Sequence, residues 1–101
     1  MRVFLDDCRT PSMIYGESEG CWLVVRTVEH VIELLKTGTV THLSLDNDLG
    51  EGALEGYHVV RWFIENDTWP TEHVWVHSSN VYRAKEMRED IRRYFYDAKG
   101  E

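Results

Sequence analysis

Three short apolar runs in this sequence are each followed at once by acidic or polar side chains. The pairs are Arg2–Leu5 with Asp6 and Asp7, His42–Leu45 with Asp46 and Asp48, and Val74–Val76 with His77, Ser78 and Asn80. In a parallel α/β sheet the carboxyl ends of the strands share one edge, where ligands bind. The sequence therefore predicts one crevice containing four carboxylates, an imidazole, a hydroxyl and an amide. That set suits a divalent metal and a phosphate better than an apolar core.

The patterns between these runs predict strands alternating with helices. A further strand is expected at Trp22–Val25, and the segment Cys8–Gly20, which lacks helical periodicity, is expected to be a loop. The predicted helices are one capped by Thr27 and stopped at Gly38, one from about Leu54 to Asn66, and one capped by Asn80.

This order favours an α/β fold with a four-stranded, mostly parallel sheet of strand order 2-1-3-4. Right-handed crossovers would place the helices on its two faces, with Asp6, Asp7 and Asp46 beside the central switch point. The residues expected to face the core are Tyr57, Val60 and Ile64, flanked by Val59 and Phe63, and in the last helix Ala84, Met87, Ile91 and Phe95.

Composition narrows the class of protein. A chain of 101 residues is expected to form a single domain, residues 1–101. Its net charge of −7 argues against an extended nucleic-acid surface, but not against a nucleotide or an RNA end bearing a phosphate. We expect a cytoplasmic protein with no membrane association, because no targeting or membrane-spanning run is visible and the two cysteines are isolated.

The four acids are candidate metal ligands. Asp6, Asp7, Asp46 and Asp48 would repel one another unless a cation joined them or some were protonated. Mg²⁺, which prefers oxygen ligands and bridges to phosphates, is the natural candidate, with Mn²⁺ as a substitute. The alternative is that both clusters only form polar turns.

The cluster after the last strand offers acid–base and binding groups. His77 can act as a general acid or base near neutrality, or it can be a structural histidine. Ser78 and Asn80 would hold phosphate oxygens or a water at the start of a helix, whose N-terminus favours anions. For Asn80, helix capping is an equally good interpretation, and both roles are compatible.

Two arginines are candidate phosphate clamps. Arg9 lies in the loop over the acidic site and would bind a phosphate in bidentate fashion or pair with the acids. Arg83, just inside the last helix, is a second candidate. The four tryptophans are numerous for so short a chain. Tryptophans most often pack in the core, but these could also stack on a base or form a homodimer interface.

Four motifs carry a resemblance to a known family, and they span essentially the whole chain. They are Leu5–Pro11, Leu43–Gly50, the Gly56-Tyr57 pair and His77–Asn80. Together they resemble the cyclic-phosphate-processing receiver domains, small truncated relatives of response-regulator receivers. The resemblance implies a truncated three-layer flavodoxin-like sandwich of about four strands and three helices. It also implies action on cyclic phosphate ends in RNA processing or on nucleotides.

In a comparison with ordinary receivers, Asp6 and Asp7 match the metal-binding acid pair, and Asp46 matches the phosphorylated aspartate. Ser78 matches the hydroxyl residue that ends the fourth strand. Compared with those receivers, we expect no fifth strand and no lysine at its end, since none of Lys36, Lys85 and Lys99 closes a predicted strand. We also expect the Cys8–Gly20 loop to replace the first receiver helix. These differences argue against a phosphorelay switch, and His77 points towards hydrolysis.

Three functions follow as hypotheses. The first is a metal-dependent phosphoesterase with Asp46, His77 and Ser78 at the reacting centre and Arg9, Asn80 and Arg83 on the substrate. In it Asp46 is either a metal ligand or a nucleophile that forms an aspartyl phosphate. The second is a non-catalytic module that senses or sequesters a cyclic nucleotide or phosphorylated end. The third is a degenerate receiver used for protein interaction, which acetyl phosphate labelling of Asp46 would reveal.

Overall fold

A computed structural model describes residues 1–16 and 21–97 of the chain. Its strands are Arg2–Leu5 (β1), Leu23–Val25 (β2), His42–Leu45 (β3) and His73–Val76 (β4). They form one parallel sheet in the order β2-β1-β3-β4, which confirms the predicted topology. In the register of the central strands Phe4 lies beside Ser44, and Ser44 lies beside Trp75.

The helices agree with prediction except near the N-terminus. They are Pro11–Tyr15 (α1), Val28–Lys36 (α2), Gly56–Asn66 (α3) and Val81–Ile91 (α4), followed by the π-helical segment Arg92–Asp97. Thr27 and Asn80 cap α2 and α4 with their side-chain oxygens, as predicted. Within the described part of the chain, no helix is long and apolar enough to cross a membrane.

The loop predicted at Cys8–Gly20 is wrong for Pro11–Tyr15, which forms the short helix α1. Pro11 occupies its first turn, where the fixed φ of proline favours a helix and its missing N–H costs nothing. A five-residue helix shows too little periodicity to be recognised from sequence. Residues 17–20 of the predicted loop lie outside the described residues.

One face of the sheet, called the helix side, carries the aliphatic core. Alternate strand residues pack there against α2, α3, α4 and the π-helical segment; they are Val3, Leu5, Leu43, Leu45 and Val74. The predicted inner face of the last helix is confirmed, because Ala84, Met87, Ile91 and Phe95 are all buried.

The predicted buried stripe of α3 needs correction. Val59, Val60 and Phe63 are buried with Gly56, whereas Tyr57 and Ile64 are only partly buried. Gly56 explains the rotation, because a Cβ at this position would meet the carbonyl oxygen of Asp46 at 1.9 Å. The helix therefore turns its only side-chain-free residue towards the backbone after β3.

The opposite face of the sheet, called the open side because α2, α3 and α4 do not cover it, carries aromatic and polar side chains. Phe4 stacks on the imidazole of His77 with ring centroids 4.4 Å apart, and Tyr15 of α1 stacks on Trp22 at 5.7 Å. Trp22 also makes an edge contact with Trp75. Trp69 packs between Phe63 and Phe95 on the helix side, and Trp62 is partly buried against the same core. All four tryptophans therefore pack within the fold.

The outer edge of β4 is occupied by side chains. The hydroxyl of Tyr96 accepts a hydrogen bond from the Val74 N–H at 3.1 Å and donates to the Val74 carbonyl at 3.2 Å. Arg88 donates to the carbonyl of Val76 at 3.0 Å. Unpaired strand edges invite pairing with other chains, so these contacts protect the edge where a fifth strand would lie.

Candidate functional site

Three predicted site residues lie side by side just beyond the strands. The sheet hydrogen bonds continue one step further, since Asp46 N–H donates to the Leu5 carbonyl at 2.9 Å and His77 N–H to the Leu45 carbonyl at 2.9 Å. Asp6 N–H likewise donates to the carbonyl of Val25 at 3.1 Å. The parallel register therefore brings Asp6, Asp46 and His77 to one edge of the sheet.

The carboxylate of Asp6 is fully buried and has hydrogen bonds at both oxygens. Oδ1 accepts from the backbone N–H groups of Cys8 at 3.0 Å and Arg9 at 2.9 Å. Oδ2 accepts from Arg9 Nε at 2.8 Å and lies 3.1 Å from His77 Nε2. Burial alone would raise the pKa of Asp6, but these hydrogen bonds and the charge of Arg9 lower it below its ordinary value. Asp6 is therefore a fixed, ionised group.

Asp46 is less well compensated. It is 5% exposed, and Oδ1 accepts from Asn47 N–H at 2.8 Å and lies 3.4 Å from Arg9 Nη2. Burial and the charge of Asp6 raise its pKa, although Asn47, Arg9 and the hydroxyl of Ser78 act in the opposite direction. Since its ionised form is disfavoured, Asp46 would gain from a further cation.

Arg9 lies between the two acids. Its guanidinium contacts Asp6 and Asp46 and also donates from Nη2 to the carbonyl of His77 at 3.3 Å. Of the two arrangements open from the sequence, the structure has the one in which Arg9 pairs with the acids. One cation thus neutralises part of the acidic cluster.

His77 is almost completely enclosed, with a side chain 3% exposed. Nδ1 lies 2.7 Å from the hydroxyl of Ser44, and Nε2 lies 3.1 Å from Asp6. Burial lowers the pKa of His77 from 6.5 to about 4, against the opposing influence of Asp6. The imidazole is therefore neutral at physiological pH and is hydrogen-bonded at both nitrogens.

Asp7 and Asp48 lie at the exposed rim. The side chains of Asp6, Asp7 and Cys8 offer possible ligand atoms that all lie within 4.8 Å of one another. Asp48 accepts from the amide of Asn80 at 3.2 Å. The carboxylate oxygens of Asp6 and Asp7 are ligands that Mg²⁺ or Mn²⁺ prefers, so this group fits such an ion, and Asp46 is the under-compensated carboxylate of the same site.

The segment after β3 is held by Asn47, a buried residue not predicted from sequence. Its amide donates to Asp48 at 2.9 Å and Glu55 at 2.8 Å, and its Oδ1 accepts from the N–H of Tyr57 at 2.9 Å. Its carbonyl accepts from the N–H of Gly56 at 2.8 Å. The start of α3 is thereby fixed against the backbone of Asp46.

The start of α4 forms the opposite rim. Ser78 contacts Asp46 and accepts from the N–H of Asn80 at 3.1 Å, while Asn80 caps the helix. Arg83 stacks over the ring of Tyr57 at 4.3 Å and contacts Glu86 at 3.1 Å and Glu55 at 3.7 Å. Asn80 therefore caps the helix and contacts the site, whereas Arg83 contacts the ring of Tyr57 and two glutamates.

Arg26 belongs to the site although it was not predicted. Its Nη1 donates to the carbonyls of Asp6 at 2.9 Å and Arg9 at 3.0 Å, which holds the loop after β1. Arg26 directly follows the last residue of β2, so the strand-end rule applied to the other three strands would have found it.

Comparison with known proteins gives the family. Residues 1–93 match the family model described as "Cyclic-phosphate processing Receiver domain". No match is found among curated proteins or among solved structures. The matched segment contains all four strands, α1 to α4 and every site residue described above. The resemblance seen in the sequence is thereby confirmed, and the chain belongs to the cyclic-phosphate processing receiver domains.

Proposed function

We propose that this domain is a metal-dependent phosphoesterase that opens cyclic phosphates on nucleotides or RNA ends. The observation that carries the proposal is the state of Asp46, a nearly buried carboxylate whose charge is only partly compensated. It lies at the end of a central strand, next to a second, ionised carboxylate. Perturbed carboxylates of this kind are typical of sites that bind a cation or react.

Asp46 and the exposed Asp7 would bind the cation, with Asp6 and Asp48 beside them. When bound, Mg²⁺ or Mn²⁺ would polarise the phosphate and lower the pKa of a water molecule. Asp6 would contribute mainly as a fixed negative charge, because its oxygens already accept four hydrogen bonds.

The substrate phosphate would lie between Arg9 and the start of α4. Arg9 would keep its Nε contact with Asp6 and donate from its other nitrogens to the phosphate. The hydroxyl of Ser78 and the amide of Asn80 would bind the remaining oxygens, helped by the helix N-terminus. His77 would act through Asp6, because both of its ring nitrogens are engaged. Asp46 would hold the cation or, as an alternative, attack the phosphate itself.

Turnover of a substrate panel tests this proposal. The panel contains 2′,3′-cyclic mononucleotides, cyclic dinucleotides and RNA oligomers ending in a 2′,3′-cyclic phosphate, each with Mg²⁺, Mn²⁺ or EDTA. We expect metal-dependent ring opening that Asp46→Asn abolishes. Asp67→Asn is the matched control, because Asp67 is an exposed acid at the end of α3 and asparagine tolerates its left-handed backbone. Equal turnover in EDTA, or in Asp46→Asn, would contradict the proposal.

A binding module is the second candidate, and the state of His77 favours it. The only histidine at the described site has a pKa of about 4 and an enclosed ring, so it is poorly suited to exchange protons with a substrate. Calorimetric binding of the same panel separates the two candidates. Ligand retained without turnover by the wild type, and lost in Asp46→Asn, would replace the enzyme with the module.

A further inference from the structure

A chain of hydrogen bonds connects α1 to the acidic site along the open side of the sheet. The hydroxyl of Tyr15 lies 2.6 Å from Ser44 Oγ, and Ser44 Oγ lies 2.7 Å from His77 Nδ1. His77 Nε2 lies 3.1 Å from Asp6 Oδ2, which also accepts from Arg9 Nε at 2.8 Å. Tyr15 and Ser44 have no place in the function proposed above.

The chemistry of the groups sets the direction of every bond in this chain. An ionised carboxylate only accepts, so His77 must donate from Nε2 to Asp6. In a neutral imidazole the other nitrogen then accepts, and the hydroxyl of Ser44 must donate to it. The oxygen of Ser44 is left to accept from the hydroxyl of Tyr15. With Asp6 ionised and His77 neutral, the order of donors therefore runs from Tyr15 to Asp6.

Burial makes this order costly to disturb. Ser44 and Asp6 are completely buried, and the side chain of His77 is 3% exposed. Inside a protein a polar group that loses its partner is not rescued by water, and linked hydrogen bonds strengthen one another. Ser44 is also a polar residue in the middle of a central strand, where a hydroxyl is retained only if it is bonded.

The chain also ties together both ends of one segment. Asp6 directly follows β1, and Tyr15 is the last residue of α1. The two are connected through Ser44, which lies on β3, and His77, which directly follows β4. Arg9 lies between them and contacts Asp6. Contacts that fix the imidazole of His77 therefore also fix the loop between β1 and α1, which contains Arg9.

We propose that Ser44 and Tyr15 are positioning residues of the site, acting through His77 to hold the Asp6 carboxylate and the Arg9 guanidinium in place. The bearing of this arrangement on a ligand rests on the proposed function. The arrangement itself is measurable without any ligand.

Nuclear magnetic resonance of the full, metal-free chain tests the arrangement. We expect His77 to carry its proton on Nε2, and the Arg9 Nε–H to exchange slowly with water. Ser44→Ala should shift the Nδ1 resonance and speed exchange of the Arg9 Nε–H about tenfold, which corresponds to ~1.4 kcal/mol. Tyr15→Phe should give a smaller change in the same direction. Tyr94→Phe, which removes an exposed tyrosine hydroxyl elsewhere, should change neither signal.

Two results would overturn the proposal. One is a wild-type imidazole protonated on Nδ1, and the other is Arg9 exchange that stays unchanged in both Ser44→Ala and Tyr15→Phe. If Ser44→Ala fails to fold, Tyr15→Phe decides, because it deletes a single oxygen from a partly buried side chain.

Mn²⁺ titration then connects the chain to the site. Loss of the Ser44 hydroxyl should weaken Mn²⁺ binding about tenfold, because the negative charge of Asp6 beside the ion would no longer be held in place. The same substitution should have almost no further effect in a His77→Gln background, since its influence passes through the imidazole. Additive losses would contradict the proposal. If the wild type binds no Mn²⁺, the proposed function fails, and the resonance data alone decide on the positioning residues.

Discussion

The two faces of the sheet are built from alternate residues of the same strands, yet they differ in kind. On the helix side, Leu5, Leu43 and Leu45 pack with α2, α3 and α4 in an aliphatic core. On the open side, Phe4, Ser44 and His77 form stacked rings and hydrogen bonds that lead to Asp6. The comparison indicates that one face mainly stabilises the fold, whereas the other also supports the site.

A matched pair of phenylalanines gives the largest expected effect. Phe63 on the helix side and Phe4 on the open side are both completely buried. Replacing either by alanine should lower the free energy of unfolding by about 3–5 kcal/mol, measured by denaturant titration. Only Phe4→Ala should also weaken Mn²⁺ binding by the folded protein, because it removes the ring stacked on His77. Equal Mn²⁺ affinities in the two variants would remove the distinction between the faces.

The pH dependence of stability should come largely from the open side of the sheet. The pKa of His77 is lowered from 6.5 to about 4, so between these values the unfolded chain binds a proton that the folded chain does not. Stability should therefore be fully present above pH 6.5 and fall by roughly 3 kcal/mol towards pH 4. The raised pKa of Asp46 acts in the opposite direction at the acid end, because protonation removes the cost of burying its charge and relieves its repulsion with Asp6.

Denaturant titrations at pH 7, 5.5 and 4.5 measure this slope. His77→Gln should flatten it, and the exposed His30→Gln serves as the matched control that keeps the wild-type slope. A wild-type slope retained in His77→Gln would show that other groups carry the effect.

The helix side was largely predictable because its signals are local. Short apolar runs located the strands, and 3.6-residue periodicity located the inner face of α4. The strand-end rule then brought Asp6, Asp46 and His77 together, since it depends only on topology. The rotation of α3 was not predictable, because it follows from the close approach of Gly56 to the Asp46 backbone.

The open side was predictable only in part because its contacts are long-range. Nothing near Ser44 in the sequence indicates a partner at Tyr15, which lies 29 residues away, or at His77, which lies 33 residues away. The pairing of Arg9 with both acids was one of two arrangements left open, and only the three-dimensional distances distinguish them.

Replacing Arg9 should separate cation binding from phosphate binding. Its guanidinium competes with any added cation for Asp6 and Asp46, so Arg9→Gln should tighten Mn²⁺ binding about tenfold, or ~1.4 kcal/mol. The same variant should bind a phosphate ligand more weakly, since a donor fork is lost. Arg93→Gln, an exposed charge on the π-helical segment, is the control for net charge. Weaker Mn²⁺ binding in Arg9→Gln alone would mean that Arg9 organises the acids rather than competing for them.

The smallest expected effect concerns the edge where the two faces meet. Tyr96→Phe removes the hydroxyl that bonds both the backbone N–H and the carbonyl of Val74, which should lower the free energy of unfolding by about 1 kcal/mol. The exposed edge of β4 should then pair with other chains, so sedimentation should show more self-association than in Tyr94→Phe, a control in the same segment. If the variant loses stability but sediments like the control, Tyr96 stabilises the fold without protecting the edge of β4 from self-association. Self-association without loss of Mn²⁺ affinity would separate edge protection from the site, because Val74 faces the aliphatic core and not the hydrogen-bonded side.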